Sequence, residues 1–246
     1  MKLSVVMPVY NEKDTIREIV GRVLAAPVHK EIIIVDDASS DGTRELIEKN
    51  YKGRDGFKVL FHEANKGKGS AIRTAFTAVS GDVVIIQDAD LEYDPHDFVK
   101  ILNEFEKPEV QIVYGTRFWK VNKFLFVGHW FSNRFLGTRY EIRYLHHFLG
   151  IQFLNFLVNV LYSARITDEA TCYKAFRREV LEKIHLNCKG FEFCPEVTAK
   201  ARKAGYRITE VPISYHPRSH EQGKKLNFWK HGLEAIFTLI KYRFVN

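Results

Sequence analysis

The sequence predicts an α/β fold with a mostly parallel central sheet and flanking helices. Short apolar runs, typical of buried strands, alternate along the chain with segments whose apolar residues recur at helical spacing. Two of the apolar runs end directly in acidic residues, at Asp36-Asp37 and at Asp88-Ala89-Asp90. Because open α/β sheets bind ligands beyond the carboxyl ends of their strands, these acids also indicate a binding site at that edge.

Strands and helices of the first half are predicted in regular alternation. Apolar runs predict strands at residues 3–9, 32–35, 59–61, 83–86 and 111–114. Helical spacing predicts helices at residues 16–24, around 46–47, and at 71–79 and 95–105. Strands that are joined by helices in this way become parallel neighbours with right-handed crossovers.

Residues 117–162 differ from the first half, because basic and aromatic side chains alternate there with a single acid, Glu141. Such a composition predicts a helical lid on the sheet, or a surface that lies in a lipid interface or binds a lipid phosphate; the two are compatible.

Beyond Asp168 the pattern predicts helices at residues 180–184 and 195–204, a strand at 207–214 and an amphipathic closing helix at 228–244. Since no linker or repeat interrupts the chain, we expect a single domain over residues 1–246.

The composition limits the kinds of partner and cellular location that can be expected for the protein. The chain has 246 residues, 46% of them hydrophobic, and a net charge of +7, which suits anionic partners such as nucleic acid, a membrane surface or a phosphorylated substrate. Nucleic acid is not expected, since no RRM, KH or helix-turn-helix signature is present. Three cysteines without C-x-x-C spacing predict reduced thiols in the cytoplasm. Without a recognisable signal peptide or an apolar run of about 18 residues, we expect a soluble or peripheral protein on the cytoplasmic face of the membrane.

Asp88 and Asp90 are the strongest candidates for a metal site. In extended backbone their side chains point the same way, and neighbouring carboxylates repel unless a cation or several donors compensate them. Hard oxygen ligands suit Mg²⁺ or Mn²⁺, ions that usually also hold substrate phosphates. Helix capping before Pro95 explains Asp94, but it does not explain the pair.

Four motifs, in order, resemble those of the family-2 glycosyltransferases, whose GT-A fold is a Rossmann-like nucleotide-sugar-binding fold. They are Pro8-Val9-Tyr10-Asn11-Glu12, Val35-Asp36-Asp37 with Ser40-Asp41-Gly42-Thr43, Asn65-x-Gly67-x-Gly69, and Asp88-Ala89-Asp90. Residues 167–174 and 212–216 look similar to the polyprenyl-phosphate branch, of the dolichol-phosphate mannose synthase type. The resemblance implies a nucleotide-binding half at residues 1–117 and an acceptor-binding half with amphipathic helices at residues 118–246.

The resemblance also implies roles for individual residues. The expected donor-binding residues are Pro8, Tyr10, Glu12, Asp37, Asp88 and Glu92, with Arg218, Lys224 and Lys225 from a basic loop. The expected ligands of Mg²⁺ or Mn²⁺ are Asp88 and Asp90, with Glu92 at a position where mannose synthases often have Gln. The expected catalytic residues are Asp90 and Arg117. Arg117 is also expected to hold the acceptor phosphate, and Arg143 or His147 to substitute for a second family arginine that is absent here.

The implied function is inverting transfer of a sugar from GDP-mannose or a UDP-hexose to a polyprenyl phosphate, either dolichyl or undecaprenyl phosphate. This acceptor is already anionic, so it needs cationic positioning rather than a base. The implied partners are the nucleotide sugar, the polyprenyl phosphate lipid, a membrane surface and a membrane-anchoring subunit. Two alternatives stay open: a saccharide hydroxyl acceptor in cell-wall or exopolysaccharide assembly, with Asp168 or Glu169 as the base, and a non-catalytic membrane-associated binding subunit.

Overall fold

The structure of the protein is a computed structural model that describes residues 1–118, 145–218 and 228–245. At the starts of two helices, the side chains of residues 145–147 and 228 are outside the described part. The strands are β1 (Leu3–Val9), β2 (Lys30–Asp36), β3 (Phe57–Phe61), β4 (Val83–Ile86), β5 (Ile112–Thr116), β6 (Lys174–Arg177) and β7 (Ile208–Pro212). The helices are α1 (Ile16–Ala25), α2 (Thr43–Tyr51), α3 (Lys68–Phe76), α4 (Phe98–Glu104), α5 (Leu145–Tyr162), α6 (Arg178–Lys183), α7 (Phe193–Lys203) and α8 (Phe228–Phe244), with a 3₁₀ turn at Pro95–Asp97 before α4.

The described strands form one seven-stranded sheet in the order β3-β2-β1-β4-β6-β5-β7. The predicted mostly parallel sheet is confirmed, since β1, β2, β3 and β4 are parallel neighbours and β5 pairs in parallel with β7. The exception is β6, which runs antiparallel between β4 and β5. Strand β6 was not predicted from the sequence, because it has only two apolar residues between Lys174 and Arg177, too few to show a strand pattern.

Lys174 is fully buried in this strand, which is unusual for a lysine. Its Nζ donates a hydrogen bond to the backbone oxygen of Glu169 at 2.9 Å and lies 3.7 Å from the centroid of the Tyr114 ring. A carbonyl oxygen and an aromatic face together compensate a buried ammonium group. The tertiary contacts of β6 therefore account for a strand that local sequence does not reveal.

Both faces of the sheet are covered, so the central strands are apolar throughout. On β1, Val5 and Met7 belong to the apolar cluster that contains Ile16 of α1, whereas Val6 belongs to the cluster that contains Ala71 of α3. Each buried valine or isoleucine stabilises the fold by about 1.5–3 kcal/mol. The sheet is thereby held rigidly enough to position the loops at its carboxyl edge.

The carboxyl ends of β1, β2 and β4 meet at one edge of the sheet. The register pairs Val9 of β1 with Asp36 of β2, and Val6 of β1 with Ile86 of β4. The loops that carry the predicted acids therefore leave the sheet next to one another. Across the molecule, α8 spans the residues predicted for the closing helix and packs on α5 and α7. None of the described helices combines the length and the apolar character needed to cross a bilayer.

Candidate active site

A cavity of about 710 Å³ lies at the carboxyl edge of the sheet. Its volume is within the range of small-molecule sites, about 300–1,000 Å³. Loops after β1, β2 and β4 form one side, and α5, α7 and α8 form the other. The sequence-predicted residues that line it are Pro8, Tyr10, Glu12, Asp37, Asp88, Asp90, Glu92, Arg117 and Arg218.

Asp88 is paired with a lysine that the sequence analysis did not assign to the site. Lys68 Nζ lies 2.6 Å from Asp88 Oδ1, and both side chains are largely buried. Burial alone would lower the pKa of Lys68, but Asp88 outweighs it and raises the pKa well above its usual value. The lysine is therefore a permanent positive charge beside the carboxylate pair.

Asp90 is paired with Arg218, which reaches it from the other end of the chain. Arg218 Nη2 lies 3.2 Å from Asp90 Oδ2, and Nη1 and Nη2 lie 3.1 and 3.3 Å from the Glu12 carboxylate. Burial, followed by the charges of Asp88 and Glu92, raises the pKa of Asp90 to about 7. Negative charge therefore remains in excess at this point despite the arginine.

The carboxylate pair fits a divalent ion by the chemistry of its atoms. Asp88 and Asp90 present hard oxygens to a cavity large enough for a diphosphate, and Mg²⁺ is commonly held by one or two carboxylates together with substrate phosphates. Two carboxylates of this kind fit an ion that binds together with a phosphorylated ligand. Over the described ranges, no group of three or more His, Cys, Asp or Glu side chains is placed to hold a metal ion.

Glu92, predicted as a third ion ligand, holds the Arg218 segment in place through hydrogen bonds. Its Oε1 accepts a hydrogen bond from the Arg218 backbone N–H at 2.9 Å, and its Oε2 accepts one from the Tyr215 hydroxyl at 2.8 Å. Its backbone N–H donates to Asp90 Oδ1 at 3.1 Å. These bonds hold the arginine segment against the loop after β4. Direct coordination by Glu92 stays a prediction.

Asp37 stabilises the turn that places Lys68 at the cavity. Its carboxylate accepts backbone hydrogen bonds from Lys66 at 2.9 Å and Gly67 at 2.7 Å, and His62 Nδ1 lies 2.6 Å from it. Gly67 has φ +90°, and a Cβ there would lie 2.4 Å from the Lys189 carbonyl oxygen, so only glycine fits. Lys68 was not predicted as a site residue, although a lysine between two glycines at a helix start is visible in the sequence.

Arg117, predicted to be catalytic and to hold the acceptor phosphate, is part of a buried ion pair. Its backbone N–H and Nε donate to Asp168 Oδ2 at 3.0 and 2.7 Å, and its Nη2 donates to Oδ1 at 2.7 Å. Its guanidinium carbon lies 4.8 Å from the centroid of the Tyr215 ring. The side chain still borders the cavity, so the acceptor role stays a prediction.

The remaining predicted residues cannot be placed. Arg143, Lys224 and Lys225 lie outside the described residues, and His147 is in α5 with its side chain outside the described part. Their predicted roles in acceptor and donor binding stay predictions.

One protein family and two curated relatives match this chain over most of its length. The family described as Glycosyl transferase family 2 matches residues 4–185. The low-salt glycan biosynthesis hexosyltransferase Agl6 of Haloferax volcanii is 29% identical over 234 residues, 93% of this chain and 52% of the relative. The dolichol-phosphate mannosyltransferase of Pyrococcus furiosus is 30% identical over 226 residues, 91% of this chain and 59% of the relative.

A third relative, the dodecaprenyl-phosphate galacturonate synthase of Rhizobium johnstonii, is 26% identical over 246 residues, 98% of this chain and 64% of the relative. The chain therefore spans between 52% and 64% of the length of these relatives. Among solved structures, glucosyl-3-phosphoglycerate synthase from Mycobacterium tuberculosis with Mn²⁺, UDP-glucose and phosphoglyceric acid has a TM-score of 0.70 at 17% identity, covering 100% of this chain and 80% of that one. The same synthase with Mg²⁺ and UDP has a TM-score of 0.67 at 18% identity and the same coverage. At such identity the likeness shows a shared fold.

Proposed function

The chain belongs to glycosyl transferase family 2 and has the GT-A fold, and we propose that it transfers a sugar from a nucleotide sugar to a polyprenyl phosphate with the help of a divalent ion. The observation that carries this proposal is the carboxylate pair Asp88 and Asp90, which faces a nucleotide-sized cavity lined by the predicted donor residues. In this proposal residues 1–117 bind the donor and residues 118–246 supply the acceptor side of one domain.

On the donor side, Asp88 and Asp90 would hold Mg²⁺ or Mn²⁺, which as a Lewis acid stabilises negative charge on a departing diphosphate. Lys68 and Arg218 already lie beside these carboxylates and would contribute positive charge next to the bound phosphates. The complexes of the synthase with Mn²⁺ and UDP-glucose and with Mg²⁺ and UDP support this assignment by analogy of fold. The donor in this proposal is GDP-mannose or a UDP-hexose.

The acceptor side favours a phosphate, because Asp168, one of the two acids expected as a base for a hydroxyl acceptor, is already engaged in an ion pair. Both oxygens of Asp168 accept hydrogen bonds from Arg117, so this carboxylate positions the arginine. A polyprenyl phosphate is an anionic nucleophile and needs no base. The names of the dolichol-phosphate and dodecaprenyl-phosphate relatives support the same acceptor class.

An exposed apolar surface on α5 and α8 supports contact with a membrane. Its members, each between 40% and 83% exposed, are Leu149, Phe153, Phe156, Val160, Trp229, Leu233, Phe237, Ile240 and Phe244. Phe153, Trp229 and Leu233 also line the cavity, so the surface is continuous with it. Large exposed apolar patches of this kind are typical of membrane or protein contact sites. In this proposal the surface holds the polyprenyl chain in the cytoplasmic face of the membrane, alone or with an anchoring subunit.

A saccharide hydroxyl acceptor is the second candidate, and Glu169 is the observation in its favour. This acid is 1% exposed and borders the cavity, and among the described residues its carboxyl oxygens have no hydrogen-bond partner. The neighbouring Thr198 hydroxyl instead pairs with the Tyr114 hydroxyl at 2.9 Å. Burial, partly opposed by Lys174, raises the pKa of Glu169 to about 8, which is in the range suited to a general base.

Transfer assays separate the two acceptors. We expect sugar transfer from one nucleotide sugar to polyprenyl phosphate in lipid vesicles and to a short-chain, water-soluble polyprenyl phosphate, with Glu169→Gln retaining most of either rate. Transfer only to saccharides, abolished by Glu169→Gln, would favour the second candidate.

A Phe156→Asp/Phe237→Asp variant should transfer sugar to the vesicle acceptor about tenfold more slowly, because two exposed aromatic side chains no longer enter lipid. Its rate with the water-soluble acceptor is the control and should not change; equal loss with both acceptors would contradict a membrane role.

Ion binding should depend on pH through Asp90. Because the pKa of its carboxyl is about 7 without an ion, an ion that binds the carboxylate must displace a proton at lower pH. We therefore expect the affinity for Mn²⁺ to fall by about tenfold between about pH 8 and about pH 6 and to level off above that range. Electron paramagnetic resonance of free Mn²⁺ measures this at saturating GDP or UDP, and the same titration without protein corrects for the terminal phosphate of the nucleotide, which titrates in the same range. An affinity that stays constant would contradict coordination by Asp90.

A further inference from the structure

Two cysteines face each other across the wall of the cavity. Cys172 lies just before β6, and Cys194 is in the first turn of α7; both are free thiols and both line the cavity. Cys194 Sγ lies 3.5 Å from the backbone oxygen of Thr171, the residue that directly precedes Cys172. The two thiols lie close enough for each to shift the pKa of the other. The proposed transfer reaction uses neither of them.

The surroundings make one sulfur a nucleophile and the other a proton donor. The neighbouring Cys172 thiol, supported by the charges of Lys174 and Lys68, lowers the pKa of Cys194 to about 6 against the effect of burial. Its neighbour Cys194, together with burial, raises the pKa of Cys172. Cys194 also lies at a helix N-terminus, a position that stabilises thiolates. This asymmetry is that of a reactive cysteine beside a resolving cysteine.

We propose that Cys172 and Cys194 form a redox site that a small-molecule disulfide converts reversibly into an intramolecular disulfide, with slower sugar transfer as the result. The Cys194 thiolate attacks one sulfur of glutathione disulfide, which forms a mixed disulfide and releases one glutathione thiolate. Cys172 gives its proton to that thiolate and attacks the Cys194 sulfur, which releases the second glutathione. Two cysteine thiols are oxidised, and one disulfide is reduced to two thiols.

The link from this site to transfer runs through Lys68. Lys68 Nζ donates a hydrogen bond to Cys172 Sγ at 3.2 Å and at the same time pairs with Asp88 at 2.6 Å. A disulfide, about 2.0 Å long, draws the Cys172 sulfur toward Cys194 and away from the Lys68 ammonium. Lys68 then loses this hydrogen bond, next to the carboxylates that would hold the donor. This effect on transfer rests on the proposed function, whereas the disulfide itself does not.

The third cysteine supplies a matched control. Cys188 is 2% exposed, and burial raises the pKa of its thiol, so it should stay unreactive. It does not line the cavity. The informative variants are therefore Cys172→Ser, Cys194→Ser and, as the control, Cys188→Ser.

The test equilibrates the full chain in glutathione buffers of stepped reduced-to-oxidised ratio, followed by alkylation of free thiols and peptide mapping. We expect a Cys172–Cys194 cross-link in the wild type and in Cys188→Ser, donor binding and transfer weakened by about tenfold, and full recovery in dithiothreitol. Cys194→Ser should keep its own reduced-state rate in oxidising buffer, whereas Cys172→Ser should accumulate a mixed disulfide with glutathione at Cys194, because no second thiol resolves it.

Three results would overturn the proposal: no cross-link under oxidising conditions, a cross-link that includes Cys188, or a cross-link that leaves both donor binding and transfer unchanged. Mapping needs no activity. A chain that shows the cross-link, with weaker nucleotide-dependent thermal stabilisation, but no transfer in either redox state would refute the proposed function while the redox site stands.

Discussion

Asp90→Asn is expected to lower the rate of sugar transfer by at least about 10³-fold, because the ion that this carboxylate would hold contributes several kcal/mol to stabilising the leaving diphosphate. Asparagine keeps the volume of the side chain and can still accept the hydrogen bond from the Glu92 N–H. The fold should therefore persist, and a thermal unfolding midpoint close to that of the wild type would show it. The measurement is kcat with saturating donor and acceptor.

Asp94→Asn is the matched control for this variant. Asp94 is close in sequence, but it caps the 3₁₀ turn by accepting from the His96 N–H at 3.0 Å and does not border the cavity. Asparagine is an equally good cap, so the control should change transfer by less than about threefold. Normal turnover in Asp90→Asn, or in wild type treated with a chelator, would contradict the role of the ion.

Asp168→Asn is expected to destabilise the protein by about 3–5 kcal/mol, because it leaves the Arg117 guanidinium buried without a negative partner. The side chains of this pair are 6% and 0% exposed, and three hydrogen bonds join them. The measurement is the free energy of unfolding in urea.

The exposed pair Lys52–Glu48 is the control for the buried one. Its side chains are 55% and 52% exposed on α2, so Glu48→Gln should change the free energy of unfolding by less than about 0.5 kcal/mol. A small, equal effect of both substitutions would show that Asp168 does not hold Arg117 in solution. Loss of transfer in Asp168→Asn with unchanged stability would indicate a base, and would favour a hydroxyl acceptor.

The sequence was informative where local pattern and structure coincide. Asp88 and Asp90 follow a buried strand directly, so their place at the sheet edge could be predicted from the apolar run alone. Closing helix α8 was equally visible, because its apolar residues recur at helical spacing over 17 residues. Strand β6 was hidden, since Lys174 is stabilised by Glu169 and Tyr114, which no local pattern connects to it.

The partners of the carboxylates could not be predicted in this way. Lys68 reaches Asp88 only because Asp37, at the end of another strand, holds the turn before α3. Arg218 lies 206 residues beyond Glu12, and it meets Asp90 through a segment braced by Glu92. Contacts of this kind depend on the finished fold, so the sequence motifs identified the acids and placed Arg218 in the donor site, but not Lys68 or the pairing of either cation with an aspartate.

The central claim is that a divalent ion and a nucleotide diphosphate bind together at Asp88 and Asp90, and anomalous diffraction at the manganese edge from crystals grown with Mn²⁺ and either GDP or UDP tests it most directly. The account predicts one strong peak about 2.1 Å from carboxylate oxygens of these residues and next to the diphosphate. A nucleotide in the cavity without an ion, or an ion elsewhere while Lys68 and Arg218 stay paired with both aspartates, would contradict it.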